Sequence, residues 1–354
     1  MTGDRHFLEE RYRGDDRRAG LRRAYYRAKP LLPRRAQLAL RRAYAPVQAR
    51  AAFPAWPAED VLVRRDLQRR RALLDAAGGA PVAVVPTWPH RARFAVALTH
   101  DVEGPAGVDN VLRVLDLEHR HGFVSSWNFV AEWYPIPNGL FDAVRAAGCE
   151  IGLHGIRHDG RLFESRERFE AELPRIAHYV REWGVEGFRS PATHRNADWM
   201  AELPVAYDSS FPDTDPFEPQ AGGCCSILPF RFGDVVELPI TLPQDHTLWE
   251  VLRDRSIERW VQKASWIARH GGLATLIVHP DYVVDEDRLA LYEQFLVWLR
   301  AQEGAWHALP RDIARWWRER ELLEMRDGRL HGETSFTADV AWVRERDGEV
   351  VLDP

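Results

Sequence analysis

Short apolar runs and helical stripes alternate along the middle of this chain. Phe94–Thr99 reads Phe-Ala-Val-Ala-Leu-Thr, a run suited to a buried strand. Val108–His121 then places Val108, Val111, Leu112 and Leu115 at helical spacing. Ser126–Val130 is strand-like, Leu140–Ala147 helical, and Glu150–Leu153 a further strand. Glu164–Trp183 predicts a long helix with Phe169, Leu173, Ile176 and Val180 on one stripe. Gly187–Arg189, Ala206–Ser210 and Val235–Pro239 read as strands, Leu248–Arg269 as one helix, Ala274–Val278 as an apolar strand and Arg288–Leu299 as a helix. A repeating strand-then-helix order implies a parallel sheet, open or closed into a barrel.

The flanks differ. Residues 1–50 predict two or three Arg-rich helical pieces broken by Pro30, Pro33 and Pro46. An extended connector follows at 53–59, then a helix at Val61–Ala77 with Leu62, Leu67, Leu73 and Leu74 available to bury. Past the sheet region, 310–325 predicts a last helix, and residues 339–352 a hairpin turning at Asp347-Gly348. The division expected is a helical extension over 1–88, a catalytic body over 89–325 and a tail over 326–354.

Composition adds limits. Hydrophobic residues at 45% suit a sizeable core, and no apolar run approaches the ~18 residues of a membrane-spanning helix. Three cysteines make no disulfide framework, and the first residues lack the apolar stretch of a secretory signal. These features point to the cytoplasm. The net charge of −5 hides an asymmetry: Met1–Val85 carries 19 Arg and Lys against 9 Asp and Glu, which is +10 and leaves −15 for the rest. The body's sign opposes DNA. The basic arm suits peripheral contact with an anionic membrane, or it wraps against the acidic body of its own chain.

Functional groups of parallel α/β folds gather at the carboxyl ends of strands. Here those ends read His100-Asp101-Val102-Glu103, His154-Gly-Ile-Arg-His158, Arg189-Ser-Pro191 and His279-Pro280. With 14 His in the chain, chance supplies roughly half a His-x-x-x-His pair, so His154 and His158 gain meaning only from the strand before them. Two imidazoles and a carboxylate form a facial set with open positions, suited to a hydrolytic metal site. Asp101 and Glu103, two apart on extended chain, can share a side, one binding metal and the other serving as general base toward a metal-bound water.

Thr99-His-Asp-Val-Glu103, His154-x-x-x-His158, Arg189-Ser-Pro191, Tyr207-Asp-Ser-Ser210 and Leu276-Ile-Val-His279 stand in the order of the polysaccharide deacetylase, or NodB-homology, family of carbohydrate esterases, which the chain resembles from about residue 94 to 280. The resemblance implies a distorted (β/α) barrel with one divalent metal, usually Zn2+. It implies Asp101 as general base, His154 and His158 as metal ligands, Arg189 as the partner of Asp101, His279 as general acid, and a backbone amide near Ser190–Ala192 at the oxyanion. The family's second aspartate falls on Val102, so the carboxylate ligand is assigned to Glu103, a divergent Asp-x-Glu variant. His100, in place of an aromatic residue, is read as packing. The loop 213–225, with Asp245 and His246, is expected near the substrate, and Trp127, Trp133 and Trp249 are candidates to stack on sugar. The expected function is removal of an N-acyl group, acetyl foremost, from an amino sugar or glycan precursor. Another C–N hydrolase on the same fold, a deformylase or amidase, and a degenerate carbohydrate-binding protein stay open.

Overall fold

The computed structural model describes residues 2–13, 33–283 and 285–354. The strand at its centre is β2 (Phe94–Val102), all nine residues of which are buried. Such continuous burial is what a parallel strand covered on both faces requires. β2 runs parallel to β3 (Ser125–Phe129) over Leu98–Val102, to β9 (Leu273–Ile277) over Ala95–Thr99 and to β10 (Ala305–His307) over Phe94–Val96. From β3 the sheet continues through β4 (Glu150–Leu153), β5 (Gly187–Phe188), β6 (Tyr207–Asp208) and β8 (Val235–Glu237), with β7 (Phe230–Phe232) antiparallel at the end. Beyond β8 the chain returns to β9, where Leu242 N donates to Thr275 O at 3.0 Å and Thr241 Oγ1 donates to Leu273 O at 2.6 Å. The sheet therefore curls back toward its own start, as a partly closed (β/α) barrel, and its carboxyl ends share one rim.

Helices pack on its outer face through narrow apolar stripes. Counting from the N-terminus, α1 is Thr2–Leu8, α2 Arg34–Gln48, α3 Val61–Ala76 and α4 Pro105–Arg120. Next come α5 (Leu140–Ala146), α6 (Arg166–Trp183), α7 (Glu258–Arg269), α8 (Glu286–Arg300) and α9 (Pro310–Arg320). α4 buries Val108, Val111, Val114, Leu115 and Leu117 and leaves Leu112 exposed, one position off the expected stripe. α3 buries Val63 and Leu74 while Leu73 faces water. α6 is capped by Ser165, whose side chain accepts from Arg168 N, and ends at Gly184 in the left-handed conformation.

Three expectations need correction. Residues 248–269 are not one helix. A π-helical turn, His246–Leu252, ends at Arg253 with φ 56°, and Asp254 Oδ1 then accepts from Ser256 N and Oγ before α7 begins. That local side-chain bonding competes with helix continuation. The helix over 310–325 stops at Arg320. A small hairpin of β11 (Glu324–Arg326) and β12 (Arg329–His331) follows, turning at Asp327-Gly328 with both φ positive. Pro46 does not break α2, because in the last turn it removes only one amide; the expected break at Pro30 lies outside the described residues.

The ends of the chain are tied to the body. The expected terminal hairpin is β13 (Ala341–Arg346) with β14 (Glu349–Asp353), and β1 (Val82–Val84) adds antiparallel to β13. At the other end, a 3-10 turn (Arg11–Arg13) brings Tyr12 Oη to Gly223, donating to its carbonyl at 2.7 Å and accepting from its amide at 2.9 Å. α2 lies on the π-helical turn, where Arg42 Nε donates to Glu250 O at 2.8 Å. The described part of the basic arm thus wraps against its own chain. No helix among the described residues is long and apolar enough to cross a membrane.

Candidate metal centre and active site

The rim of the sheet brings together side chains far apart in sequence. Asp101 is the eighth residue of β2 and is buried. Its Oδ1 accepts from Asn128 Nδ2 at 2.9 Å and Arg189 Nη1 at 3.3 Å. Arg189, itself buried, is fixed by Nε to Ser209 O at 2.6 Å, Nη2 to Ser209 Oγ at 2.8 Å and Nη1 to Thr99 Oγ1 at 2.8 Å. Burial alone would raise the Asp101 pKa. The charges of Arg189, His154 and His279 and the Asn128 hydrogen bond outweigh it and hold the carboxyl below its ordinary value.

Glu103 follows β2. Its amide donates to Asp281 Oδ2 at 2.8 Å, and Asp281 Oδ1 accepts from Gly107 N at 3.2 Å, so one carboxylate pins both the turn and the start of α4. Its own carboxylate accepts from Tyr282 Oη at 3.0 Å and lies 3.0 Å from His158 Nε2. Glu103, His154 and His158 each offer a ligand atom within 4.8 Å of the other two. Asp101 stands outside that triad.

The donor set fits a divalent ion. His154 Nδ1 lies 3.0 Å from Arg189 O, which makes Nδ1 the protonated nitrogen and leaves a lone pair on Nε2. That Nε2 is buried and has no hydrogen-bond partner in the protein. Burial pushes the His154 pKa down to about 4, against the pull of Asp101, so the ring is neutral near pH 7. A buried neutral imidazole aimed at a carboxylate and a second imidazole is the arrangement a metal ligand needs and an isolated core histidine lacks.

His279 completes the rim. Its Nδ1 is 2.6 Å from Asp245 Oδ1, its amide donates to Asp245 Oδ2 at 2.8 Å, and its Nε2 is 3.7 Å from Glu103. Burial lowers its pKa, but Asp245 and Glu103 override this and raise it to about 10, so a proton is held at neutral pH. These groups open into one cleft of about 2340 Å³. Pro216–Pro219 line it, as expected of the loop 213–225, and so does His246.

Other expectations fare differently. His100 is fully buried, stacked on Trp127 at 4.0 Å between ring centroids, with Nε2 2.8 Å from Glu118: a core group outside the cleft. Trp127 and Trp249 are buried in the core, the latter against Trp260, and only Trp133 of the three proposed stacking rings lines the cleft. The Ser190 amide donates to Ser210 Oγ at 2.9 Å, which removes it as an oxyanion donor, whereas Ala192, at φ 54°, lines the cleft. Sequence reading missed Asn128, Asp281 and Tyr282. Asn128 was detectable as a polar residue near the end of a buried strand, and Asp281 as an acid two residues past His279.

No sequence-family profile matches the chain, and no curated protein matches it in sequence. Solved structures do match in shape. A protein assigned as a polysaccharide deacetylase from Mycobacterium smegmatis superposes with a TM-score of 0.54 at 22% identity, covering 68% of this chain and 96% of its own. One assigned likewise from Pseudomonas aeruginosa PAO1 gives 0.51 at 19%, covering 67% and 95%. Puue allantoinase gives 0.51 at 19%, covering 66% and 93%. The chain has the NodB-type polysaccharide deacetylase fold.

Proposed function

We propose that this protein is a metal-dependent hydrolase that removes an N-acyl group, acetyl foremost, from an amino sugar or glycan precursor. The observation that carries the reading is the buried, unpartnered Nε2 of His154, directed toward Glu103 and His158 on the rim that also holds Asp101 and His279. Glu103, His154 and His158 would hold the ion. A divalent metal there supplies Lewis acidity, polarising the acyl carbonyl and acidifying water. The protein's own groups do the proton work. Asp101, kept ionised by Arg189, accepts the proton of the attacking water. His279, kept protonated by Asp245, delivers one to the departing nitrogen, so that amide and water become amine and carboxylic acid. Ala192, in its left-handed turn, is the remaining backbone candidate for the oxyanion.

Metal analysis tests the reading first. Wild type should carry about one divalent ion per chain. His154→Ala/His158→Ala should lose it, and Glu103→Ala should bind it more weakly. Metal-loaded wild type should then release amine from N-acetylated amino sugars. A wild type that takes up no zinc, cobalt or nickel removes the hydrolase mechanism and leaves a carbohydrate-binding protein. A second reading, hydrolysis of a cyclic amide, is favoured by the likeness to an allantoinase. It predicts turnover of allantoin and none of N-acetylated sugars.

A further inference from the structure

The cleft is larger than one sugar needs, and one wall of it is apolar. Small-molecule sites commonly enclose about 300–1,000 Å³, against about 2340 Å³ here. Among the described residues ten large apolar side chains are exposed, and five of them line this one cleft: Leu40, Tyr44, Val47, Phe53 and Trp133. The other five are dispersed over α3, α4, α8, the chain after α9, and β13.

The wall has a helical origin. Gln37, Leu40, Arg41, Tyr44, Val47 and Gln48 all line the cleft, and their spacing is one face of α2. α2 is held to the body from its flank and along the cleft edge: Ala45 is buried in a cluster with Phe217 and Val251, Arg42 Nε donates to Glu250 O, and Arg41 and Gln48 donate to Phe217 O and Pro216 O. Between these contacts α2 leaves Leu40 (54% exposed) and Val47 (51% exposed) facing the cleft. Trp133 (52% exposed), from the loop after β3, and Phe163, from the loop after β4, supply apolar surface from the rim. The polar floor of Asp101, Glu103, His154, His158 and His279 is continuous with this wall. One ligand that satisfies both parts is an amphiphile.

We infer that the cleft takes an amphiphilic substrate, whose hydrocarbon chain lies along the α2 wall while its acylated amine reaches the histidine–carboxylate rim. This rests on the hydrolase reading and narrows its substrate class. Each methylene buried against such a wall favours binding by about fourfold, so chain length becomes the variable that reports the wall.

The test measures kcat/KM of the metal-loaded full chain on alkyl β-glycosides of N-acetylglucosamine, methyl through dodecyl, below micelle formation. A second series lengthens the N-acyl group on the methyl glycoside. The inference expects a rise of at least about fiftyfold across one series, and the series that rises identifies whether the chain belongs to the aglycone or to the acyl group. Leu40→Ser/Val47→Ser, at exposed positions, should flatten that rise. Calorimetric titration with dodecyl β-maltoside, which has no amide, separates the two readings. Saturable binding lost in the double variant, without turnover of any glycoside, supports the wall and sinks the hydrolase. Turnover of the methyl glycoside, with flat series and no maltoside binding, does the reverse. Adsorption to phosphatidylcholine vesicles with flat series assigns the face to a bilayer and overturns the inference.

Discussion

Asp245 controls His279 from two directions, through the ring and through the backbone amide. Such a group orients and charges the imidazole without touching substrate. Asp245→Asn keeps the size and removes the charge that holds the proton on His279. Under the proposed mechanism kcat should fall by about 100-fold or more, with KM and metal content little changed. Equal loss of metal would show instead that Asp245 shapes the whole rim. Glu150 reports the core rather than the site. Burial raises its pKa from an ordinary 4.5 to about 7, although Tyr207 Oη donates to it at 2.7 Å. A carboxyl raised on folding contributes stability that is fully present below about 4.5 and is lost as the pH climbs through about 7. The stability of Glu150→Gln relative to wild type should therefore increase by about 3 kcal/mol between pH 4.5 and pH 8. Urea melts at both pH values check this, and a pH-independent difference would mean that Glu150 stays ionised when folded.

At the scale of elements, the tie between α4 and the rim is tight enough to read by one methyl group. A Cβ at Gly107 would lie 2.1 Å from Asp281 Oδ2, the oxygen that accepts the Glu103 amide. Gly107→Ala must displace Asp281 and release the turn that aims Glu103. Metal affinity should drop about 10- to 100-fold, the range seen when support of a ligand is lost, while far-UV circular dichroism stays that of wild type. The same tie explains what the sequence could and could not disclose. His154 and His279 directly follow apolar runs, and Glu103 and His158 lie a few residues past one, so strand periodicity locates them. Asp281 and Asn128 act on partners 178 and 27 residues away, and no local period encodes such a pairing. Helix faces erred by one position at Leu112 and Leu73, because a stripe of several leucines and valines admits neighbouring rotations that only the packed sheet decides. The break at Arg253 was missed because Asp254 and Ser256 compete with the helix through side-chain bonds that hydrophobic periodicity does not register.

For the whole molecule, the question is whether the basic arm is an appendage or part of the body. Two ion pairs of different depth answer it. Glu10, just before the 3-10 turn, pairs with Arg195 at 2.5 Å, with both side chains buried. Arg71 of α3 pairs with Glu345 of β13, with both side chains about half exposed. An exposed pair contributes about 0–1 kcal/mol, because water screens it and ordering two long side chains opposes it. Removing one member of a buried pair leaves an uncompensated charge and costs about 3–5 kcal/mol. Glu10→Ala should therefore lower the unfolding free energy by about 3 kcal/mol, and Glu345→Ala by less than about 1 kcal/mol. Replacing both members of the buried pair, Glu10→Met/Arg195→Met, should recover most of the loss, because it leaves no fully buried charge behind; Arg13, which also pairs with Glu10 at 2.9 Å, is partly exposed. The loop 213–225 links this pair to function: Tyr12 bonds Gly223, and Gln220 Nε2 donates to Arg195 O at 2.9 Å. The arm's anchorage thus holds the loop that walls the cleft, and Glu10→Ala should loosen that loop as well as destabilise the fold. Hydrogen exchange at residues 213–225 in the same variant measures this second effect. Faster exchange there at pH and temperature where the β2–β3 core stays protected makes the arm part of the cleft; unchanged exchange makes it a stabilising wrap alone.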